Sequence, residues 1–148
     1  MRARDLAVAM PVVRRSTRVL EAARLLAVED LPGLIVLDDA GRPSTVLAGT
    51  DVLAMAVPRY CIDDPALARV VDEDAADLFA HRLSDPTVAQ ALPDRWRELP
   101  VVDDDATALE VAALMARSRT PLVAVVDRSG TLLGGITLDG LLERVLAP

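Results

Sequence analysis

The sequence predicts an α/β (α+β) fold in which two β-α-β-β-α repeats pack with pseudo-two-fold symmetry, joined by an extra helical insert. Three observations lead to this prediction. The chain aligns with itself at one constant offset, each half carries the same order of apolar runs and turn residues, and 52% of the residues are hydrophobic, which is ample material for a core.

The first half aligns with the second without a gap when it is shifted by 89 residues, the distance from Pro32 to Pro121. The register holds from residue 11 to residue 53. It also superimposes turn residues, because Asp38 and Gly41 fall on positions 127 and 130, which are again Asp and Gly. A chain rich in Ala, Val and Leu produces chance matches among apolar residues, but not coincident Pro, Asp and Gly.

Each repeat starts with a short strand, Val12-Val13 in the first copy, followed by an amphipathic helix. In the second copy Thr107-x-x-Glu110 has the spacing of a capping box, which predicts a helix start there. A continuous apolar run follows, Leu34 to Leu37 or Leu122 to Val126, which is typical of a strand buried on both faces.

An Asp-x-x-Gly turn then leads to a second strand, over 44–47 or 132–136, and a last helix over 51–57 or 140–146. We expect a positive φ at the glycine of each turn. The predicted limits are 1–57 for the first repeat, 58–93 for the insert and 94–148 for the second repeat. Within the insert, the pattern predicts helices over 65–71 and 74–83 and a short segment over 87–92.

Charge and cysteine content narrow the function classes. The net charge of −7 disfavours binding to nucleic acid or to an anionic membrane surface. Cys61 is the sole cysteine, so no intrachain disulfide can form, and the apolar stretch before Pro11 is too short to span a bilayer. We therefore expect a cytoplasmic protein with no direct membrane insertion. All 16 cations are Arg, which we interpret as the composition bias of a high-GC bacterium.

The repeat resembles the CBS (cystathionine-β-synthase) domain. The clearest match is the segment from Pro121 to Thr137, with Asp-x-x-Gly in the hairpin and Gly-Ile-Thr before the last helix; the segment from Leu31 to Gly41 matches the same template. The resemblance covers nearly the whole chain, and the insert is its least typical part.

The resemblance implies a regulatory, ligand-sensing module without catalytic residues. Two CBS repeats form clefts that often bind an adenine nucleotide (AMP, ADP or ATP) or S-adenosylmethionine as a regulatory ligand; no cofactor or metal is required. Such pairs commonly form homodimers. They control a separate effector protein, which is an enzyme, a channel or a transporter.

Members of the family that bind adenosine carry a Ser/Thr-x-x-Asp pattern at the start of the last helix, where the carboxylate accepts hydrogen bonds from the ribose diol. Here each copy is incomplete. The first has Asp51, but Ala48 stands at the Ser/Thr position. The second has Thr137, but Gly140 stands at the Asp position and Asp139 is one residue early, which turns its side chain by about 100° on a helix.

The turn after the first strand also differs between the copies. Arg14 and Arg15 of the first copy suit phosphate, whereas Asp103, Asp104 and Asp105 of the second repel it. The better predicted anion site therefore combines Asp51 with Arg14 or Arg15. The alternatives are that Asp51 is a helix-terminal carboxylate and that the arginines are solvated surface residues. The full set of expected ligand contacts is Val13, Arg14, Arg15, Thr17, Leu31, Gly33, Thr50, Asp51, Thr120, Leu122, Thr137 and Asp139.

Two other function classes stay open. An enzyme would need a catalytic group, and His81 and Cys61 stand outside any nucleophile or zinc motif. A carboxylate cluster at Asp72, Glu73, Asp74 and Asp77 lacks the Gly-centred loop of an EF-hand. The second alternative is a ligand-free dimerisation or docking scaffold. Its partner surface would be the insert, with the apolar side chains Leu67, Val70, Val71, Leu78 and Phe79.

Overall fold

The computed structural model describes residues 1–70, 75–93 and 97–148, and confirms the mixed α/β prediction. Two three-stranded sheets have the orders β1-β2-β3 and β4-β5-β6. The strands are Val12–Arg14 (β1), Gly33–Leu37 (β2), Pro43–Ala48 (β3), Val101–Asp103 (β4), Leu122–Val126 (β5) and Leu132–Thr137 (β6). In the second sheet β4 pairs parallel with β5, and β5 pairs antiparallel with β6.

The helices of the described residues include the two predicted in each repeat, the two predicted in the insert and several further short segments. They are Ala3–Leu6 (α1), Val19–Glu29 (α2), Gly49–Ala56 (α3), Arg59–Asp63 (α4), Pro65–Val70 (α5), Ala75–Ser84 (α6), Val88–Ala91 (α7), Ala108–Ser118 (α8) and Leu138–Val145 (α9). The last helix of each repeat starts two residues earlier than predicted, because Ala48 and Thr137 keep extended backbones and act as the N-caps. Among these residues no helix has the length and hydropathy to cross a membrane.

The turn predictions hold at residue level. Gly41 and Gly130 have φ of 81° and 84°. The preceding aspartates organise the turns, since Asp38 Oδ1 accepts from the backbone N–H groups of Ala40 and Arg42, and Asp127 Oδ1 accepts from those of Ser129 and Thr131. The capping box at Thr107 also forms: its hydroxyl accepts from the Glu110 N–H at 3.1 Å, and its own N–H donates to the Glu110 carboxylate.

The chain divides into two compact units, each built from discontinuous segments. One comprises Met1–Val12, Ile35–Val46 and Arg97–Pro148; the other comprises Val13–Leu34 and Leu47–Trp96. These units do not follow the predicted repeat limits, which stay a prediction from the sequence.

The first unit contains two apolar clusters. In one, α1, α8 and α9 cover the second sheet through Leu6, Met115 and Leu141. In the other, Ile35 and Val46 of the first sheet contact Leu122 and Ala124 of the second. Strands of both sheets therefore contribute to one core inside this unit.

The second unit is mainly helical. Its fully buried residues include Val19, Ala22, Ala56 and Val88 of α2, α3 and α7, and Leu34 and Leu47 of β2 and β3, all at 0% exposure. Helix α6 packs against α2 and α3, and Leu83 at its C-terminal end is also buried.

Two short helices, α1 and α7, dock in the same way on two corresponding turns. The N–H groups of Ala3 and Arg4 donate to the carbonyls of Ala106 and Asp104. In the second unit the N–H groups of Val88 and Ala89 donate in the same way to the carbonyls of Thr17 and Arg15. The turn residues are related by the offset of 89, but the helices are related by an offset of 85, the distance from Arg2 to Thr87.

Candidate functional site

Four predicted ligand residues of the second repeat lie at one end of its sheet. Leu122, the first residue of β5, is paired with Thr137, the last residue of β6. The Leu138 N–H donates to the Pro121 carbonyl at 2.9 Å, which fixes the start of α9 beside the start of β5. The structure therefore brings the segments 120–122 and 137–139 together.

Thr137 and Asp139 occupy the N-terminus of α9. The Thr137 hydroxyl accepts a hydrogen bond from the Gly140 N–H at 3.1 Å, which is the usual role of an N-cap threonine. Asp139 lies at the second helical position and is exposed. From there it does not take the place of the missing carboxylate at position 140, in agreement with the one-residue shift seen in the sequence.

Thr120 and Leu122 have structural contacts of their own. The Thr120 hydroxyl lies 2.9 Å from that of Ser118. Leu122 is 2% exposed and belongs to the core, so a ligand would reach its backbone rather than its side chain.

In the first repeat, Asp51 lies at the third position of α3 and Thr50 precedes it on the exposed side. One Asp51 carboxylate oxygen accepts from the Ala48 N–H at 2.9 Å, which is the carboxylate half of a capping box. Ala48 has no side-chain oxygen to provide the other half. Each repeat therefore has one half of a capping box: the first has the carboxylate of Asp51, and the second has the hydroxyl of Thr137.

Leu31 and Gly33 lead into β2. The Leu31 N–H donates to the Leu26 carbonyl at 3.3 Å, and Asp30 between them has a left-handed φ of 50°, so the chain leaves α2 in a sharp turn. Gly33 is buried at the start of β2. Because a short hairpin joins β2 to β3, this start lies at the same sheet end as Ala48 and the first turn of α3.

The residues Val13 to Thr17 form a turn with a structural role. The Arg14 N–H donates to the Thr17 hydroxyl at 3.0 Å, and the carbonyls of Arg15 and Thr17 receive the N-terminus of α7. Val13 is 3% exposed and belongs to the core. The docking of α7 was not predicted, because a helix of four residues leaves no apolar period in the sequence.

The pairing of the second sheet gives the direction of the strand before this turn. Asp103, which corresponds to Arg14, pairs with Val126 at the far end of β5, whereas Thr137 pairs with Leu122 at the near end. Four residues of strand separate these ends, or about 13 Å. In the second repeat the acidic turn and the start of α9 therefore lie at opposite ends of the sheet. The residues of the first repeat that correspond to these ends are Arg14 and the start of α3, and the predicted combination of Arg14 or Arg15 with Asp51 stays a prediction.

Comparison with known proteins identifies the family of this chain. The CBS domain profile matches residues 91–147. A solved CBS domain-containing protein of Kribbella flavida is 48% identical, with a TM-score of 0.90 and coverage of 99% of both chains. The chain belongs to the CBS-domain family. This confirms the family predicted from the repeat.

Other CBS proteins match less closely. The chloroplastic CBS domain-containing protein CBSX2 of Arabidopsis thaliana is 30% identical over 138 residues, which are 91% of this chain. The chain spans 58% of the length of that relative. A crystal structure of CBSX2 in complex with AMP has the same fold, with a TM-score of 0.67, 23% identity and coverage of 98% and 96% of the two chains.

The groups considered for catalysis lie apart from these helix termini in the sequence. His81 is exposed on α6, and Cys61 is half-buried on α4 beside Tyr60, which is 53% exposed. Asp72, Glu73 and Asp74 of the carboxylate cluster lie outside the described residues, as does Val71. Within the part of the chain that the structure describes, no three His, Cys, Asp or Glu side chains are grouped to hold a metal ion.

Proposed function

We propose that this CBS protein is a regulatory module that binds an adenine nucleotide at the first turn of α3. CBS domain proteins of this kind are regulatory. The AMP complex of CBSX2 supports an adenine nucleotide as the ligand class. In this proposal the protein is a homodimer and its nucleotide-bound state controls a separate enzyme, channel or transporter.

The position of Asp51 carries the proposal. Asp51 is the third residue of α3. It lies at the sheet end where β2 begins with the buried residue Gly33. An ionised carboxylate can accept several hydrogen bonds, and one of those that Asp51 accepts comes from the Ala48 N–H. A carboxylate at this position suits acceptance of hydrogen bonds from a ribose diol. Thr50 precedes Asp51 in the chain, and Leu31 lies two residues before Gly33.

The first repeat is the better candidate of the two. In the second repeat Thr137 supplies a hydroxyl, but Gly140 has no side chain and Asp139 stands at a different angle on α9. We leave Arg14 and Arg15 out of the proposed site, because in the second repeat the turn that corresponds to theirs lies at the sheet end opposite Thr137.

The test is isothermal titration calorimetry of the wild type with AMP, ADP, ATP and S-adenosylmethionine, repeated with Asp51→Asn. An asparagine keeps an oxygen for the Ala48 N–H, so α3 stays capped while the charge is lost. Hydrogen bonds to a charged group contribute about 1.5–3 kcal/mol each, so we expect affinity to fall by about tenfold or more. Asp139→Asn, on the corresponding helix of the second repeat, is the matched control and should bind normally.

A second function, the ligand-free scaffold, is favoured by one specific observation. Asp51 and Thr137 each make a helix-capping hydrogen bond, so capping alone accounts for the presence of both residues. Absence of heat with all four ligands would reject the nucleotide proposal and leave the scaffold. Binding that is equally strong in Asp51→Asn would reject the site but keep the ligand class.

A further inference from the structure

Strand β4 lies at the edge of the second sheet, because the strand order is β4-β5-β6. The Ala124 N–H donates to the Pro100 carbonyl at 2.9 Å, and Val101 is the pairing partner of Ala124. Successive residues of a strand direct their backbone groups to alternate sides, so those of Val101 and Asp103 point away from β5. Among the described residues, no strand or isolated bridge pairs with this free side of β4.

A groove of about 600 Å³ lies between this edge and helix α8. Because α8 connects β4 to the parallel strand β5, it runs back along β4 in the opposite direction. The helix contributes residues at intervals of three and one, which share one face. The lining includes Val101 and Asp103 of the strand and Glu110, Ala113, Leu114 and Arg117 of the helix.

Small side chains line this groove where the first repeat has larger ones. Ala106 corresponds to Thr17, whose hydroxyl accepts the N–H of Arg14. Alanine has no hydroxyl that could accept the corresponding N–H of Asp103. Ala113, in the middle of the α8 face, corresponds to an arginine at position 24. The second repeat therefore offers a backbone donor and space beside it, which is what an added strand needs.

The groove has an acidic end and a basic end. Asp103, Asp105 and Glu110 line the end at which β4 stops and α8 begins. Arg2 also lies there and donates to the Asp105 carbonyl at 2.9 Å, so three carboxylates stand beside one cation. Arg117 lines the groove seven residues after Glu110, or about 10 Å farther along α8. A complementary occupant carries a positive charge at the first end and a negative charge at the second.

We propose that this groove binds an extended segment of a partner protein as a fourth strand beside β4. Its basic side chain lies at the acidic end and its acidic side chain at Arg117. Alternate residues of a strand share one face, so the first, third and fifth residues of the segment face α8 and span about 13 Å. The middle one of the three is apolar and contacts Ala113 and Leu114.

The inference goes beyond the proposed function, because none of the lining residues belongs to the proposed nucleotide site. A regulatory module needs a surface that holds the protein it controls, and main-chain hydrogen bonds at a free sheet edge provide affinity for an extended segment. The two charged ends then provide selectivity among such segments.

The test is an NMR titration of the ¹⁵N-labelled protein with the peptide Lys-Thr-Val-Thr-Glu, acetylated and amidated at its ends. Antiparallel to β4, which is the more stable pairing, this peptide places its lysine at the acidic end and its glutamate at Arg117. Binding at millimolar peptide concentration should shift the amide signals of Val101 and Asp103.

Val101→Pro tests the contribution of the strand edge. It removes an N–H that faces the groove, but it leaves the hydrogen bonds to β5 in place. Affinity for the peptide should fall at least tenfold. Val12→Pro is the matched control, since it changes the corresponding residue of the same Pro-Val-Val sequence in the first repeat, and it should leave the affinity unchanged. Circular dichroism verifies the fold of both variants.

A charge swap tests the basic end without a change in the backbone. Arg117 is exposed, so Arg117→Glu should fold normally. It should weaken binding of the peptide about fivefold, because an attraction between exposed charges becomes a repulsion. The peptide Lys-Thr-Val-Thr-Lys should restore the affinity in this variant. Val28→Glu places the same charge at the corresponding position of α2 and should have no effect.

Three results would overturn the inference. They are unchanged signals of Val101 and Asp103 at millimolar peptide, equal affinity of wild type and Val101→Pro, and no recovery of affinity in the charge swap. Failure of the proposed function is distinguishable from these results, because calorimetry with AMP measures binding at Asp51 and the peptide titration does not.

Discussion

At the residue scale, one hydroxyl distinguishes the starts of the two closing helices. The Thr137 hydroxyl accepts a hydrogen bond from the Gly140 N–H. The corresponding residue Ala48 has no side-chain oxygen that could accept one from the N–H of Asp51. A Ser/Thr-x-x-Asp pattern at a helix start has the spacing of a capping box. The residues that the family uses for adenosine are therefore also residues that stabilise the helix, and each repeat has kept one half of the pair.

Ala48→Thr should complete the capping box of α3. The new hydroxyl can accept the Asp51 N–H while the Asp51 carboxylate keeps the N–H of residue 48. An N-cap of this kind contributes about 0.5–2 kcal/mol, so the free energy of unfolding should rise by roughly 1 kcal/mol in urea denaturation. Thr137→Ala is the reciprocal change and should lower it by a similar amount. Equal stability of Ala48→Thr and wild type would show that the half box already satisfies the helix start.

The sequence was sufficient to locate these two residues but not to group the rest of the site. Spacing within one helix turn fixes the relation of Ala48 to Asp51. The relation of Arg14 to Asp51 instead depends on the direction of β1 relative to its neighbours, and a short strand carries no sign of its direction. In the second repeat, the pairing of Asp103 with Val126 shows which end of the sheet the corresponding turn occupies.

At the scale of elements, the strands, the long helices and the short helix α5 were predicted, whereas α1, α4 and α7 were not predicted as helices. Strand β5 was predicted with its observed limits, because a run of five apolar residues between a proline and an Asp-x-x-Gly turn has few other interpretations. Helices α1 and α7 have four residues each, too few to show a 3.6-residue period. The correspondence between α1 and α7 was also missed in the self-alignment, because these helices are related by an offset of 85 residues and the elements that follow them by 89.

Gly134→Ala should disrupt the contact between the N-terminal segment and β6. A Cβ at position 134 would stand 2.5 Å from the Val8 carbonyl oxygen, a backbone atom held by paired hydrogen bonds with Gly135. Overpacking of this kind costs about 1–3 kcal/mol. We expect that loss in urea denaturation, together with faster hydrogen exchange of the Val8 amide.

Gly49→Ala is the control for this change. A Cβ at Gly49 meets nothing within 4 Å, and the residue opens α3, where alanine is favoured over glycine. We expect a gain of up to about 0.5 kcal/mol. A Gly134→Ala variant as stable as Gly49→Ala would mean that the segment around Val8 moves aside without loss.

At the scale of the whole molecule, the repeat in the sequence and the compact units in the structure divide the chain differently. The offset of 89 relates α2 to α8 and β2 to β5, yet the unit that contains α8 also contains Ile35–Val46 from the first repeat. Self-similarity reports which segments share a conformation. It does not report which segments pack together, because packing joins Ile35 to Leu122 across the two sheets.

Two carboxylates, those of Glu110 and Asp127, accept hydrogen bonds in the folded state and so contribute to stability in the acid range. The Thr107 backbone N–H, followed by its hydroxyl, lowers the pKa of Glu110 below 4.5. The Ser129 hydroxyl and the Thr131 N–H lower the pKa of Asp127 below 3.8. A folded-state pKa below the unfolded value means that the unfolded chain binds more protons, so stability rises with pH in that range. The contribution is complete above the unfolded values and is lost as pH falls through the folded ones.

The double variant Glu110→Gln, Asp127→Asn should therefore have a shallower loss of stability than the wild type when pH falls from about 5 to 3. Both amides keep an oxygen for the local N–H groups but do not titrate. Below this range 16 Arg charges remain while the carboxylates are neutralised, so repulsion unfolds both proteins in the end. The measurement is the free energy of unfolding by urea at intervals of half a pH unit, with the values at pH 7 as the reference for each protein. Parallel curves for the two proteins would contradict the assignment of the acid sensitivity to Glu110 and Asp127.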